Sequence, residues 1–243
     1  MTFVTETRAS DSPYVESVTA GWSVSSGAPI RPAETHWHMI LTRHDGGTQF
    51  LIAGPLTSSG VVEYGAGAEL LWIKLRLGTF MPHLPPRTFV NAETLLPDAS
   101  SRAFWLKGSA WEFPTYENTD DFVNRLMREG ILQHDPLIGA ALGGRLQPGS
   151  LSPRTLRHRF LQATGQTQGQ IVQFERAQRA AALLQSGVSI LDTVEEAGYF
   201  DQPHLTRSLK QFIGYTPAQI ARLAMAGVGA THRRIADGVE IEA

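Results

Sequence analysis

The chain contains no cysteine among its 243 residues. That absence excludes disulfide staples, thiolate zinc sites and cysteine nucleophiles together. Any metal site must then be built from histidine and carboxylate. No apolar run approaches the roughly 18 residues needed to span a bilayer. The N-terminal stretch MTFVTETRASDSPY lacks the basic start and apolar core of a secretory signal. The expectation is a cytoplasmic protein with no membrane partner. Catalytic signatures are also missing: there is no G-x-S-x-G elbow and no P-loop. Gly65-Ala66-Gly67 lacks the third glycine and the strand-to-helix context of a dinucleotide site. An excess of either charge is absent as well, with 21 Lys+Arg against 23 Asp+Glu and a net charge of −2. Nucleic-acid-binding domains are usually basic, so the average argues against such a partner. What is present, 42% hydrophobic and 18% charged residues, suffices for a packed core.

Splitting the chain reverses the conclusion about charge. Residues 1–133 carry ten Lys+Arg and fourteen Asp+Glu, a net of −4. Residues 138–223 carry nine basic and five acidic residues, a net of +4. Such asymmetry points to two domains with different partners.

The N-terminal half has the pattern of β-structure. Runs rich in β-branched and aromatic residues fall at about 15–25, 36–43, 48–54, 59–64 and 69–77, separated by Gly, Asp, Ser and Pro. Asp45-Gly46-Gly47-Thr48 is a hairpin signal. Strands at this spacing predict a sandwich or barrel. Residues 78–119, with Pro82, Pro85, Pro86, Pro97 and Pro114, predict long irregular connections. A helix is expected over 119–132, capped at Asn118-Thr119-Asp120.

His36-Trp37-His38 is a metal-like arrangement, because residues two apart on a strand point to one face. Glu34 and His44 share that parity, and Glu63 and His83 are candidates for distant ligands. The competing reading makes these residues half-buried strand histidines or the polar lining of a pocket. His36, His38, Trp22, Trp37 and Trp72 are therefore candidate ligand-pocket residues in an aromatic β-barrel, and no metal or cofactor is expected.

The C-terminal half has the pattern of short helices. Ser152 and Pro153 form an N-cap and first-turn pair. Leu156 and Phe160 recur at helical spacing, while Arg154, Arg157 and His158 share the other face. A long helix is expected from Gln168 to Gln185. Ile190, Val194 and Ala197 mark a short helix ending at the Gly198 turn. Asp201 can cap the next, about 202–213, with Leu205, Leu209 and Phe212 inward and Gln202, Thr206, Arg207 and Lys210 outward. A last helix spans 217–224. Helix, glycine turn and helix with base-reading residue types form the helix-turn-helix pattern.

Several segments carry a closer resemblance. They include Ser152-Pro153-Arg154-Thr155-Leu156 with Phe160 and Gly165, and Arg176 with Ala180 and Leu183-Leu184. They continue with Gly187-Val188-Ser189-Ile190 and the run Ala197-Gly198-Tyr199-Phe200-Asp201-Gln202-Pro203-His204-Leu205-Thr206-Arg207, and finish at Gly214-Tyr215-Thr216-Pro217. In order and spacing, Leu151 to Arg222 resembles the DNA-binding domain of AraC-type transcriptional regulators. The resemblance implies two helix-turn-helix units joined by the long helix. It also implies two recognition helices in successive major grooves, about one turn apart. Arg154, Arg157 and His158 would read bases from the first; Gln202, Pro203, Thr206 and Arg207 from the second, beside Lys210. Gly143-Gly144 and Gln147-Pro148-Gly149-Ser150 depart from the family pattern, so the first unit is shortened. Ala33 to His38 resembles the β-rich sensor half of some members and implies a cupin-like barrel that binds an effector or carries a dimer contact.

The expected fold is thus two-domain. An all-β cupin-like sensor or dimerisation domain occupies 1–133 and an all-α DNA-binding domain 134–224, with a loosely held tail at 225–243. The function expected is a sequence-specific transcriptional regulator, not an enzyme, with double-stranded DNA, a small-molecule effector and a second copy of itself as partners. The alternative is a metal-dependent cupin-type enzyme with an appended helical domain.

Overall fold

The computed structural model describes residues 3–44, 47–147 and 151–225. The expected tail therefore lies, beyond Met225, outside the described residues. The strands are β1 (Phe3–Ala9), β2 (Val15–Ser23), β3 (Ile30–Arg31), β4 (His38–His44), β5 (Gly47–Ala53), β6 (Gly60–Val61), β7 (Glu69–Leu75), β8 (Thr79–Phe80), β9 (Glu93–Leu96), β10 (Asp98–Ser100), β11 (Ala103–Leu106), β12 (Ser109–Glu112) and β13 (Gln133–His134). The helices are α1 (Pro86–Phe89), α2 (Thr119–Arg128), α3 (Pro136–Leu142), α4 (Pro153–Thr164), α5 (Gln168–Gln185), α6 (Ile190–Glu196), α7 (Gln202–Phe212) and α8 (Pro217–Met225).

A six-stranded antiparallel sheet, in the order β1-β2-β7-β4-β5-β9, organises the β-rich half. Its strands alternate sides with period two. Met39, Leu41, Phe50, Ile52, Leu71 and Ile73 turn to one side and pack with Phe104, Trp111, and Val123 and Leu126 of α2. Ile40, Thr42, Leu51, Leu70 and Trp72 turn to the other, beneath the β3–β6 ribbon. The β4–β5 hairpin closes in register His44↔Gly47, with Asp45 and Gly46 outside the described residues.

Two local expectations are corrected. Residues 78–119 are not an irregular connection: they supply β9 to the edge of the main sheet and the three-stranded β10-β11-β12 sheet. These strands hold three or four residues each, too few for a period to show between prolines. Asn118 does not cap α2 through its side chain. Its Oδ1 accepts instead from the Thr115 N–H at 2.8 Å.

The helical half follows its capping residues. Ser152 Oγ accepts from Thr155 N–H at 3.1 Å, and Asp201 Oδ1 accepts from His204 N–H at 2.7 Å. Thr167 and Gln170 form a reciprocal capping box at the start of α5. Phe174, Ala177, Ala181 and Leu184 of α5 pack with Leu205, Leu209, Phe212 and Ile220 in a second core. The alanines let α7 and α8 approach the α5 backbone closely.

The hydrophobic cores do not divide where the composition changes. Phe160 and Ala163 of α4 and Ile171 of α5 belong to the first core, with Phe80, Met81 and Leu132. Burying a side chain the size of Phe160 contributes about 1.5–3 kcal/mol. At the end of α4, Gly165 has φ +71°. A Cβ there would stand 2.5 Å from Val90 Cγ2 and 2.7 Å from the Pro86 carbonyl oxygen. Glycine is therefore required both by the left-handed cap and by the approach of α1.

Candidate nucleic-acid interface and the buried charge cluster

The second helix-turn-helix unit consists of α6, the turn at Gly198 and α7. Leu205, Ser208, Leu209 and Phe212 hold α7 inward. Gln202, Pro203, Arg207 and Lys210 are exposed on its other side, and Thr206 is half-buried. Ser208 Oγ lies 2.8 Å from the Tyr199 hydroxyl, which fixes the turn to the helix. Arg176 of α5 lies over the Tyr199 ring, and Arg179 donates to the Ala197 carbonyl at 3.3 Å. Two of the basic residues counted in this half thus brace the turn. Phe200, which precedes the Asp201 cap, is 90% exposed. Sequence reasoning quoted it only as part of a motif. The signal available was a large apolar residue directly before a helix cap, where no inward position exists.

The first unit is built differently. Arg154, Arg157 and His158 are exposed on α4, opposite Phe160 and Ala163. Among the described residues no helix lies between α3 and α4, and Pro148–Ser150 are outside them. The back of α4 rests on α1 and β8 as well as on α3, so the β-rich half shares in its support. Arg159 is turned away from the basic front. It pairs with Asp135 at 3.0 Å, while the other carboxylate oxygen of Asp135 caps α3 through Leu137 N–H.

His36 and His38 come together, but within a buried charge cluster. Glu34 Oε1 lies 2.6 Å from His36 Nδ1, and Glu16 Oε2 lies 2.9 Å from His36 Nε2. Both ring nitrogens donate to carboxylates, which is the bonding of an imidazolium. Lys74 Nζ sits 3.2 Å from Glu16 and 3.5 Å from Glu34. Burial by itself would lower the pKa of His36, but Glu34 and Glu16 outweigh it and raise it. Burial likewise pushes Glu34 upward, and His36 and Lys74 overcome this and hold it well below the carboxylate range. Burial raises Glu16 too, yet its bonds to His36 and Lys74 bring it down to about 2. For His38, burial dominates and keeps the ring neutral. Its Nδ1 accepts from the Trp72 indole N–H.

Of the other candidate pocket residues, Trp72 lines a cavity under the β3–β6 ribbon. Trp37 is 2% exposed in the first core and stacks on Phe89. Trp22 is 53% exposed on β2, beside a separate depression. His44 binds the Ala66 carbonyl at 2.9 Å. No group of three or more His, Asp or Glu side chains among the described residues is arranged to hold a metal ion. No helix among them is long and apolar enough to cross a membrane.

The linkage of the cluster to pH has a defined sign. A carboxylate whose folded pKa is depressed stabilises the fold above its ordinary pKa and ceases to do so as pH falls through its folded pKa. For Glu16 that window runs from 4.5 down to about 2. The stability gap between the wild type and Glu16→Gln, open near neutrality, should close across this window in urea denaturation. A gap that does not change with pH would contradict the ion pairing. His36 works in the opposite sense: its contribution is complete below 6.5 and is lost as pH rises through its raised value.

The cluster and the cavity adjoin the helical half. Ala33 N–H donates to the Phe212 carbonyl at 2.7 Å, and Ser59 N–H to the Gln211 carbonyl at 2.7 Å. Ser59 Oγ also donates to the Lys210 carbonyl at 3.1 Å. The segments flanking β3 and β6 thus hold the C-terminal end of α7. Gly214, at φ +91°, lies so close to Ile30 and Ser59 that a Cβ would collide with Ile30. Glu175 of α5, pushed upward by burial, feels the charge of His36 in the opposite direction.

Comparison with known proteins bears on the helical half. Residues 150–222 match the family described as helix-turn-helix domain. The chain also aligns with the structure of ToxT from Vibrio cholerae at 11% identity, over 92% of this chain and 99% of that one, with a TM-score of 0.41. No curated protein matches the chain.

Proposed function

Since residues 150–222 are an AraC-type helix-turn-helix domain, we propose that the chain is a sequence-specific transcriptional regulator controlled by a small-molecule effector. The observation that carries this reading is the coincidence of that match with the exposed Gln202, Arg207 and Lys210 of α7, whose opposite side is buried.

In this reading residues 134–224 bind DNA, and α7 enters a major groove. Arg207 donates to guanine and Gln202 pairs with adenine, the geometry each side chain suits best. Thr206 lies beside them, and Lys210 neutralises a phosphate. Phe200 supplies an apolar contact for a thymine methyl group. Arg154, Arg157 and His158 present α4 to the neighbouring groove. The N–H groups at the starts of α4 and α7 offer donors to phosphates. Residues 1–133 hold the effector and the contact of a homodimer. The hydrogen bonds from Ala33 and Ser59 to the end of α7 support a direct path from effector to recognition helix. The protein acts in the cytoplasm.

Selection from genomic fragments, followed by footprinting, tests the proposal. The expected product is a shared site protected over two successive major grooves, about 10 bp centre to centre. Fragments that share no sequence would contradict it.

A further inference from the structure

The two helices read as recognition helices, α4 and α7, are held by different parts of the molecule. The second unit packs on α5, where α6, α7 and α8 surround the second core. The main supports of α4 are α1, β8 and α3, and its Phe160 and Ala163 are buried in the first core. Helix α3 is itself tied to the β-rich half. The strand before it, β13, pairs with β8, and the Asp135 N–H donates to the Gly78 carbonyl at 2.9 Å. Every main support of α4 is thus joined to the β-rich half, while only Gly165, Gln166 and Thr167 connect α4 to α5.

Asn91 joins this attachment to the one that holds α7. It follows Val90, whose side chain lies against Gly165 at the end of α4. The Asn91 N–H donates to the Pro55 carbonyl at 2.8 Å. Its Oδ1 accepts from the Thr57 N–H at 2.8 Å and from the Thr57 hydroxyl at 3.1 Å, and its Nδ2 lies 2.9 Å from the same hydroxyl oxygen. Two residues beyond Thr57, Ser59 holds the Gln211 and Lys210 carbonyls of α7. A continuous path therefore runs from the end of α4, through Val90 and Asn91, along Thr57-Ser58-Ser59, to the end of α7. Asn91 has φ +59°, a left-handed conformation that asparagine adopts more readily than most residues with a side chain. Glycine would serve that turn equally well. Asn91 is exposed and adds nothing to a core. What its side chain supplies is the link to Thr57.

We propose that Asn91 is a positioning residue for DNA recognition: through Thr57 it fixes the separation of α4 and α7, and with it the spacing of the two groups of bases they read. This rests on the reading of α4 and α7 as recognition helices. Each base pair advances the duplex by about 3.4 Å and turns it by about 34°. Two rigidly set helices therefore fit one spacing. Helices free to shift fit several spacings and bind each less tightly, because ordering them on the duplex costs entropy. In this arrangement a residue far from the bases, in the β-rich half, governs which operator spacing is accepted.

The test uses the full chain as wild type, Asn91→Gly and Asn91→Asp. Glycine keeps the turn and the N–H to Pro55 but removes the side-chain bonds to Thr57. Aspartate keeps an acceptor for the Thr57 N–H and hydroxyl. Because the chain has no cysteine, Gln162→Cys and Gln211→Cys confine spin labels to exposed positions of α4 and α7. Pulsed EPR then reads the distance between them without DNA. Wild type and Asn91→Asp should give one narrow distribution, and Asn91→Gly one roughly twice as wide or wider. On the selected duplex, adding or removing one base pair between the two halves of the site should weaken the wild type roughly tenfold or more. Asn91→Gly should bind the original spacing about threefold to tenfold more weakly, the effect of one or two hydrogen bonds, and should lose most of the penalty for altered spacing. Asn91→Asp should match the wild type. The proposal is overturned if Asn91→Gly leaves the distance distribution unchanged, or if affinity falls with the spacing penalty intact, as a local structural role would give. It is also overturned if Asn91→Asp behaves as Asn91→Gly. A distribution that broadens in Asn91→Gly, with no specific site for the wild type, removes the regulator reading and keeps Asn91 as the link between the helices. An unchanged distribution with a specific wild-type site does the opposite.

Discussion

Glu34→Ala should destabilise the protein by about 3–5 kcal/mol, the cost of breaking a buried ion pair by removing one partner. Glu34 is 3% exposed. Its Oε1 accepts from the His36 ring at 2.6 Å and from the Thr35 N–H at 2.8 Å, and its Oε2 faces Lys74 at 3.5 Å. The truncation leaves the partly exposed Glu16 alone to balance the buried Lys74 and His36. In a chain of this size 1 kcal/mol moves the melting temperature by roughly 2–4 °C, so a fall on the order of 10 °C is expected. Glu34→Gln keeps acceptor oxygen and shape but not charge, and should fall between. Denaturant titration of the three proteins measures this. A loss below about 1 kcal/mol would mean that the cluster behaves as a solvated surface network.

The second large effect concerns DNA. Arg207→Ala should cost about 1–3 kcal/mol on the selected site, roughly fivefold to 150-fold, if the guanidinium reads a base. The same substitution should leave binding to unrelated duplex nearly unchanged, because that binding is carried by phosphates. Lys210→Ala should weaken both kinds of duplex alike and lower the salt slope by about 1. The contrast between neighbouring residues on one exposed side of α7 separates recognition from charge. Arg207 lies three residues before Lys210, on the helix whose other side is held by Leu205, Leu209 and Phe212. Neither substitution touches a core, so a loss of DNA binding cannot be ascribed to unfolding.

The helical half was legible in the sequence because its signals are local. Ser152, Thr167, Ser189 and Asp201 cap the helices that follow them. The expected helix over 168–185 coincides with α5. The exposed positions of α4 and α7 follow from helical spacing alone. The β-rich half was legible only where strands are long. The edge strand β1 was missed because FVTETRA is half-exposed and carries little apolar alternation. The charge cluster was half visible. The parity of Glu34, His36 and His38 placed them together, but Glu16 and Lys74 come from β2 and β7, and only the register of the sheet brings them in. The docking of α4 against α1 and β8 was likewise hidden, because it joins residues about 70 positions apart, beyond any local pattern.

The central claim is that α7 reads sequence in a duplex. The most direct measurement is the ratio of affinities for the selected duplex and a scrambled one, by fluorescence anisotropy across salt concentrations, for wild type and Arg207→Ala. The predicted result is a wild-type ratio of at least 10³ that Arg207→Ala reduces by its whole loss of affinity, with both duplexes weakening steeply as salt rises. A ratio near one for the wild type, or a ratio that Arg207→Ala leaves unchanged, would contradict the claim.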